Sequence, residues 1–192
     1  MTERLLVTLL ATAAGLTADH ALTEGRPGSP VRVMIYEDLQ CPDCASFRRM
    51  MDDQILPRYA DKVEFLHRDF PLPRHRWARR AAIAARFFAE RRPELGLEFR
   101  RQTMANILDT DEGNFEDRLA AFARKNGVNP DEARAALRDP RLDALVEKDL
   151  QDGIARGVSK TPTVFVNGTP FIEHFSFEEI SKGIDQALAE AK

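Results

Sequence analysis

Apolar and polar positions change period several times along the chain, and each change predicts an element. Val31-Arg32-Val33-Met34-Ile35-Tyr36 is dense in β-branched and aromatic residues and predicts a buried strand. From Pro42 the period lengthens, with Phe47, Met50, Met51 and Ile55 at helical spacing. Pro42 suits the first turn of that helix, where a missing N–H costs nothing. The helix is expected to end near Pro57 to Tyr59. Val63 to His67 predicts a second short strand, ended by Pro71 and Pro73. A strand–helix–strand unit of this kind makes a parallel, right-handed pair.

Residues 75 to 155 read as almost wholly helical. Trp77, Ala81, Ala84, Ala85 and Phe88 mark one helix face; Leu97, Met104 and Leu108 suggest a second helix. Leu119, Phe122 and Ala123 suggest a third, stopped by Asn126-Gly127. Asn129-Pro130-Asp131-Glu132 reads as the cap and first turn of a fourth, and a fifth is expected from Arg141 to about Ala155. Strand character returns at Thr163 to Val166. Asn167-Gly168 is the preferred pair for a tight type I′ turn, and Phe171-Ile172 is the return strand. Ser176 and Glu179 form a capping-box pair for a last helix that buries Ile180, Ile184 and Leu188. The order is β-α-β, a helical block, then β-β-α. Neither β part is large enough to fold alone, so both are expected in one sheet. This gives an α/β architecture with 31–73 and 156–192 as one domain and 74–155 as an inserted helical domain.

Residues 1–30 form an N-terminal segment that ends in a loop, because the glycines and prolines of Gly25 to Pro30 break regular structure. Leu5 to Leu16 is mostly apolar after Arg4, and Ala18 is placed to end a cleavable leader. The stretch is too short to span a bilayer. Export, to a periplasm or beyond, is the expectation, with no membrane span in the mature protein. The alternative is a retained N-terminal helix on a cytoplasmic protein.

Composition narrows the partners. Hydrophobic residues at 43% can fill a core, and a net charge of −3 offers no general attraction to nucleic acid or an anionic membrane. In R-H-R-W-A-R-R the helical spacing puts Trp77 and Ala81 opposite most arginines, which predicts a solvated face. Arg48 reads as a surface arginine. His67 and His75 have no evident partners and read as structural.

The chain has two cysteines, Cys41 and Cys44, in one C-x-x-C. Such a pair is redox-active or half of a metal site. Structural zinc usually takes four ligands, and the histidines His20, His67, His75 and His174 are scattered, so no metal and no cofactor is expected. The pair follows a strand and opens a helix. Unpaired N–H groups and the macrodipole at a helix start stabilise a thiolate at Cys41. Cys44, nearly one turn on and more buried, is placed to resolve a mixed disulfide. Asp43 opposes this by like-charge repulsion.

These residues resemble the DsbA-like thioredoxin-fold proteins. The resemblance runs over most of Pro30 to Leu188. It rests on V-R-V-M-I-Y-E-D-L-Q-C-P-D-C, with Asp38 and Gln40 before the first cysteine, on H-R-D-F-P-L at His67 to Leu72, and on G-V-S-K-T-P-T-V-F-V-N-G at Gly157 to Gly168. It implies a thioredoxin fold with a helical insertion and a protein thiol–disulfide oxidoreductase. Cys41 and Cys44 would form the redox-active disulfide, with Pro42 and Asp43 between them tuning it. It also implies a cis-proline at Pro162 facing the pair, which leaves the Thr161 backbone to bind an extended peptide. Substrates would be proteins or peptides with cysteines, recycled by an unidentified redox partner. No dimerisation domain is visible, so a monomer is expected. Two departures stand out. Many relatives carry a buried carboxylate six residues before the first cysteine, where this chain has Ile35, and Glu37 and Asp38 are expected on other faces or in the loop. Strongly oxidising members often carry histidine where this chain has Asp43, which predicts a less oxidising pair. The competing reading is a non-catalytic module that binds peptides or a metal, as a chaperone or metallochaperone.

Overall fold

A computed structural model describes residues 22–191. The apolar stretch Leu5 to Leu16 and the cleavage point at Ala18 lie outside the described residues. Five strands form one sheet in the order β1-β3-β2-β4-β5: β1 Leu22–Gly25, β2 Arg32–Glu37, β3 Glu64–Asp69, β4 Thr163–Val166 and β5 Thr169–Ile172. β2 and β3 are parallel; every other pair is antiparallel. The parallel pair is joined by α1 (Pro42–Met50), a π-helical turn at Met51–Ile55 and α2 (Leu56–Tyr59). Pro57 lacks an N–H and crowds the carbonyl four residues back, which accounts for the widened turn before it.

The second strand pair matches its local signals. Asn167 and Gly168 have φ of 43° and 95°, as a type I′ turn requires. Ser176 and Glu179 complete a reciprocal capping box at the start of α8 (Phe177–Glu190). One face of the sheet buries Val33, Ile35, Phe65, Val164 and Val166 against Phe47, Met51 and Ile55 from the β2–β3 connection, with Ile180 and Ile184 of α8.

Between β3 and β4 lie α3 (Ala78–Arg91), α4 (Pro93–Ala105), α5 (Phe115–Lys125), α6 (Pro130–Ala136) and α7 (Pro140–Ala155). Their apolar faces meet around Trp77, Phe88, Phe99, Phe115 and Phe122, and this cluster extends to Leu39, Cys41, Cys44 and Ala45. The cysteines therefore sit at the seam between sheet and helical block. α7 presses on the sheet at Gly153, where an added Cβ would stand 2.7 Å from the Phe70 ring and 3.0 Å from Tyr36.

Several expectations are corrected. β1 falls in the segment where no strand was expected. Leu108 is 94% exposed in a short 3-10 turn rather than on a buried helix face. The arginines at 76, 79 and 80 do lie toward the surface, paired with Glu112, Asp143, Glu147 and Glu116. Arg86 and Arg100, further along the helical block, are buried. Arg86 bonds Asp69 at 2.7 Å and also pairs with Asp149. Arg100 bonds Glu37 at 2.9 Å and Asp69 at 2.5 Å. Arg48 is 4% exposed rather than solvated. It bonds Glu24 of β1 at 2.8 Å and Asp52 at 2.6 Å. His67 does have partners, Glu37 at 2.7 Å and Glu24 at 3.3 Å. Burial works against a charged imidazole there, but the two carboxylates outweigh it and push His67 up. These ions join β1, β2 and β3 to α1, α3, α4 and α7.

Candidate active site

Cys41 is the N-cap of α1 in extended geometry, with Pro42 in the first helical turn. Its backbone N–H donates to the Asp38 carbonyl at 3.0 Å. The side chain is 2% exposed and lies against the loop before β4, where the Cys41 thiol donates to the Thr161 carbonyl oxygen at 3.3 Å. The Thr161–Pro162 bond is cis, as the resemblance implied. The fold thus brings Cys41, Cys44, Thr161 and Pro162 to one place. Pro42 is exposed and Asp43 half-buried at the same helix start.

Cys41 ionises at about 6. The hydrogen bond from the Cys44 thiol is the largest cause. Burial opposes it, and the Thr161 side chain and the backbone N–H groups of Cys44 and Asp43 add to it. Asp43 therefore contributes a favourable amide, and the repulsion expected from its carboxylate does not prevent the lowering. Cys44 is pushed far up, first by burial, then by its bond to Cys41 and the negative charges of Cys41 and Glu37; the Asp38 N–H, 3.4 Å from its sulfur, works the other way. The site thus lowers one sulfur and raises its neighbour, an asymmetry suited to thiol–disulfide exchange through a C-x-x-C.

Of the two acids near the pair, Asp38 lies in the loop after β2 as expected, while Glu37 does not lie on another face. Glu37 points to the same side of β2 as Ile35, two residues on, and is 2% exposed. Its Oε1 takes hydrogen bonds from His67 and twice from Arg100, while Oε2 is buried without a hydrogen-bond partner. Burial works to raise its pKa, but His67 and Arg100 overcome this and hold it at about 2. Asp38 is 1% exposed, and burial pushes it up despite bonds from Leu72, His75 and Gln40. His75, read as unpartnered, bonds Asp38 at 2.8 Å. Sequence reasoning missed this pair because the two residues lie 37 positions apart. Among the described residues no group of three or more His, Cys, Asp or Glu is placed to hold a metal ion.

A parallel β-α-β unit with a C-x-x-C at its helix start, a cis-proline loop opposite and a helical block between the strand pairs defines the DsbA-like class of thioredoxin folds. The chain belongs to the thioredoxin family, whose model, described as Thioredoxin, matches residues 17–186. Among solved structures, oxidised BdbD from Bacillus subtilis shares the fold with a TM-score of 0.80 at 23% identity, covering 88% of this chain and 94% of that one. α-DsbA1 from Wolbachia pipientis follows with a TM-score of 0.78 at 20% identity, covering 89% and 92%. Among curated relatives, disulfide bond formation protein D of Bacillus subtilis is 23% identical over 85% of this chain and 75% of its own length. The Na(+)/H(+) antiporter NhaA 3 of Salinispora tropica is 29% identical over 91% of this chain. The chain spans about a quarter of the length of the antiporters it matches.

Proposed function

We propose that the protein is a thiol–disulfide oxidoreductase that exchanges disulfides with cysteine-containing proteins or peptides through Cys41 and Cys44. The observation that carries this is the Cys41 sulfur, lowered to about 6 at a helix start and touching both Cys44 and the loop of Thr161 and Pro162. As a reductant, the Cys41 thiolate attacks a substrate disulfide, and one substrate sulfur leaves with the electron pair. Cys44 then loses its proton and attacks Cys41, releasing the second substrate sulfur. As an oxidant, the same steps run backwards. Thr161, beside Pro162, presents its backbone to an extended substrate segment by strand addition. A thiol at about 6 lies between about 3.5 for DsbA and about 7 for thioredoxin. The pair is therefore expected to be less oxidising than DsbA, whose potential is about −120 mV.

The name of the Bacillus subtilis relative and its 75% coverage support this reading. The antiporter likeness covers a quarter of those proteins and carries no transport activity to this chain. No helix among the described residues is long and apolar enough to cross a membrane. We place the protein in an exported, oxidising compartment, as a monomer served by a separate redox partner, with 74–155 as the inserted helical domain. A periplasmic thioredoxin-like protein from Salmonella enterica shares the fold, with a TM-score of 0.74. The test is transfer of a disulfide between the protein and a two-cysteine peptide. Transfer lost in Cys41→Ser supports the exchange reading. Peptide binding that survives without any transfer in the unaltered protein favours the non-catalytic module.

A further inference from the structure

The loop before the first cysteine is tied down from one side. Asp38 Oδ1 accepts from the Gln40 N–H at 2.7 Å, and Oδ2 accepts from the Leu72 N–H at 2.7 Å and His75 Nδ1 at 2.8 Å. Arg74 Nε lies 3.4 Å from His75 Nε2, on the far side of the ring from Nδ1, which faces Asp38. Gln40 Oε1 accepts from the Trp77 N–H at 2.9 Å. Both polar side chains ahead of Cys41 thus anchor to the segment 72–77. The peptide leading into Asp38, next to the first of these anchors, directs its N–H at Cys44 Sγ, 3.4 Å away. The exchange steps leave this arrangement without a role, although a carboxylate with 1% exposure is costly to keep.

We propose that Asp38 and His75 are positioning residues for Cys44: their bond holds the Asp38 N–H on the Cys44 sulfur, where it stabilises the thiolate that Cys44 becomes in every exchange. This rests on the exchange reading above. When an incoming thiolate attacks Cys41 Sγ of the disulfide, the S–S bond breaks and the electron pair leaves on Cys44. In the opposite direction the Cys44 thiol gives its proton to water and its thiolate attacks Cys41 Sγ of the mixed disulfide. The substrate sulfur departs with the electron pair and is protonated from solvent. Burial and the charge of Glu37 oppose an anion on Cys44 even while Cys41 is held in a disulfide, so a fixed donor there acts on the slow partner of the pair. A hydrogen bond to an anion is stronger than one between neutral groups. Cys41 draws on different donors, so loss of the Asp38–His75 bond should spare it.

The experiment mixes reduced protein with glutathione disulfide, quenches in acid and follows by mass the Cys41–glutathione adduct as it converts to the Cys41–Cys44 disulfide. His75→Ala should resolve the adduct about tenfold more slowly. Cys41 alkylation should keep its midpoint near 6, while thermal stability falls because the buried Asp38 loses one partner. His75→Asn, which returns an N–H near the Nδ1 position, should recover most of the rate, and Asp38→Asn should be slow as well. Resolution at the unaltered rate in His75→Ala overturns the proposal, as does a Cys41 midpoint that moves with it or failure of His75→Asn to recover. If His75→Ala does not fold, the comparison of Asp38→Asn with His75→Asn decides in the same way. Cys44→Ser separates the levels. If it accumulates no adduct on Cys41, the exchange reading itself fails and the positioning role with it; an adduct together with unaltered resolution in the His75 variants removes the positioning role alone.

Discussion

Removing the Cys44 thiol while leaving its space nearly filled isolates the largest influence on Cys41. In Cys44→Ala the hydrogen bond that leads the lowering of Cys41 is gone, while the Asp43 amide, residue 44's amide and the Thr161 side chain remain. A hydrogen bond to a charged group contributes about 1.5–3 kcal/mol. At about 1.4 kcal/mol per pKa unit, Cys41 should rise by about one to two units, from about 6 to between about 7 and 8. The thiolate fraction at neutral pH then falls from about nine-tenths to between about one-tenth and one-half. The assay is the rate of alkylation by iodoacetamide against pH, read on Cys41 by peptide mass. Serine is unsuitable at position 44 because its hydroxyl would replace the donor. An unchanged midpoint in Cys44→Ala would refute the reasoning, because the helix start and the Thr161 loop would then hold the thiolate unaided.

Folding lowers Cys41 from about 9 to about 6, so ionisation favours the reduced folded protein above the unfolded value and this benefit is lost as pH falls through 6. At pH 7 it amounts to about 1.4 kcal/mol; the gap between reduced and oxidised forms in urea unfolding should shift against the reduced form by about that much on acidification to pH 5. Arg100→Met leaves the carboxylates of Glu37 and Asp69 buried without a main partner, and the urea midpoint should fall by the equivalent of about 3–5 kcal/mol. Arg76→Ala breaks an exposed pair with Glu112 and should leave that midpoint nearly unchanged. Gly153→Ala drives a methyl into Phe70 and Tyr36 and should destabilise by about 1–3 kcal/mol, measured the same way.

Locally coded features were legible in the sequence, and features made by distant pairing were not. The β2 strand, the C-x-x-C at a helix start, the Asn167-Gly168 turn and the Ser176–Glu179 cap each depend on residues a few positions apart. β1 exists because Leu22 to Gly25 pairs with β3 some forty residues later, so its four residues carry little signal alone. Arg48, Arg86 and Arg100 look like surface residues on a helical wheel, and His67 reads as a structural histidine without an evident partner. They are buried because a second layer supplies Glu24, Glu37, Asp69 and Asp149. The Asp38–His75 contact escaped for the same reason. Leu108 erred the other way, since α4 ends at Ala105 and leaves that leucine past the helix.

The most direct measurement is the rate at which the reduced protein exchanges with a small aromatic disulfide between about pH 4 and about pH 9, compared with Cys41→Ser. The expected profile is a single rise with its midpoint near 6 that vanishes in the variant. A midpoint near about 8.5, the value of an unassisted thiol, or an undiminished rate in Cys41→Ser would contradict a thiolate held ready at Cys41.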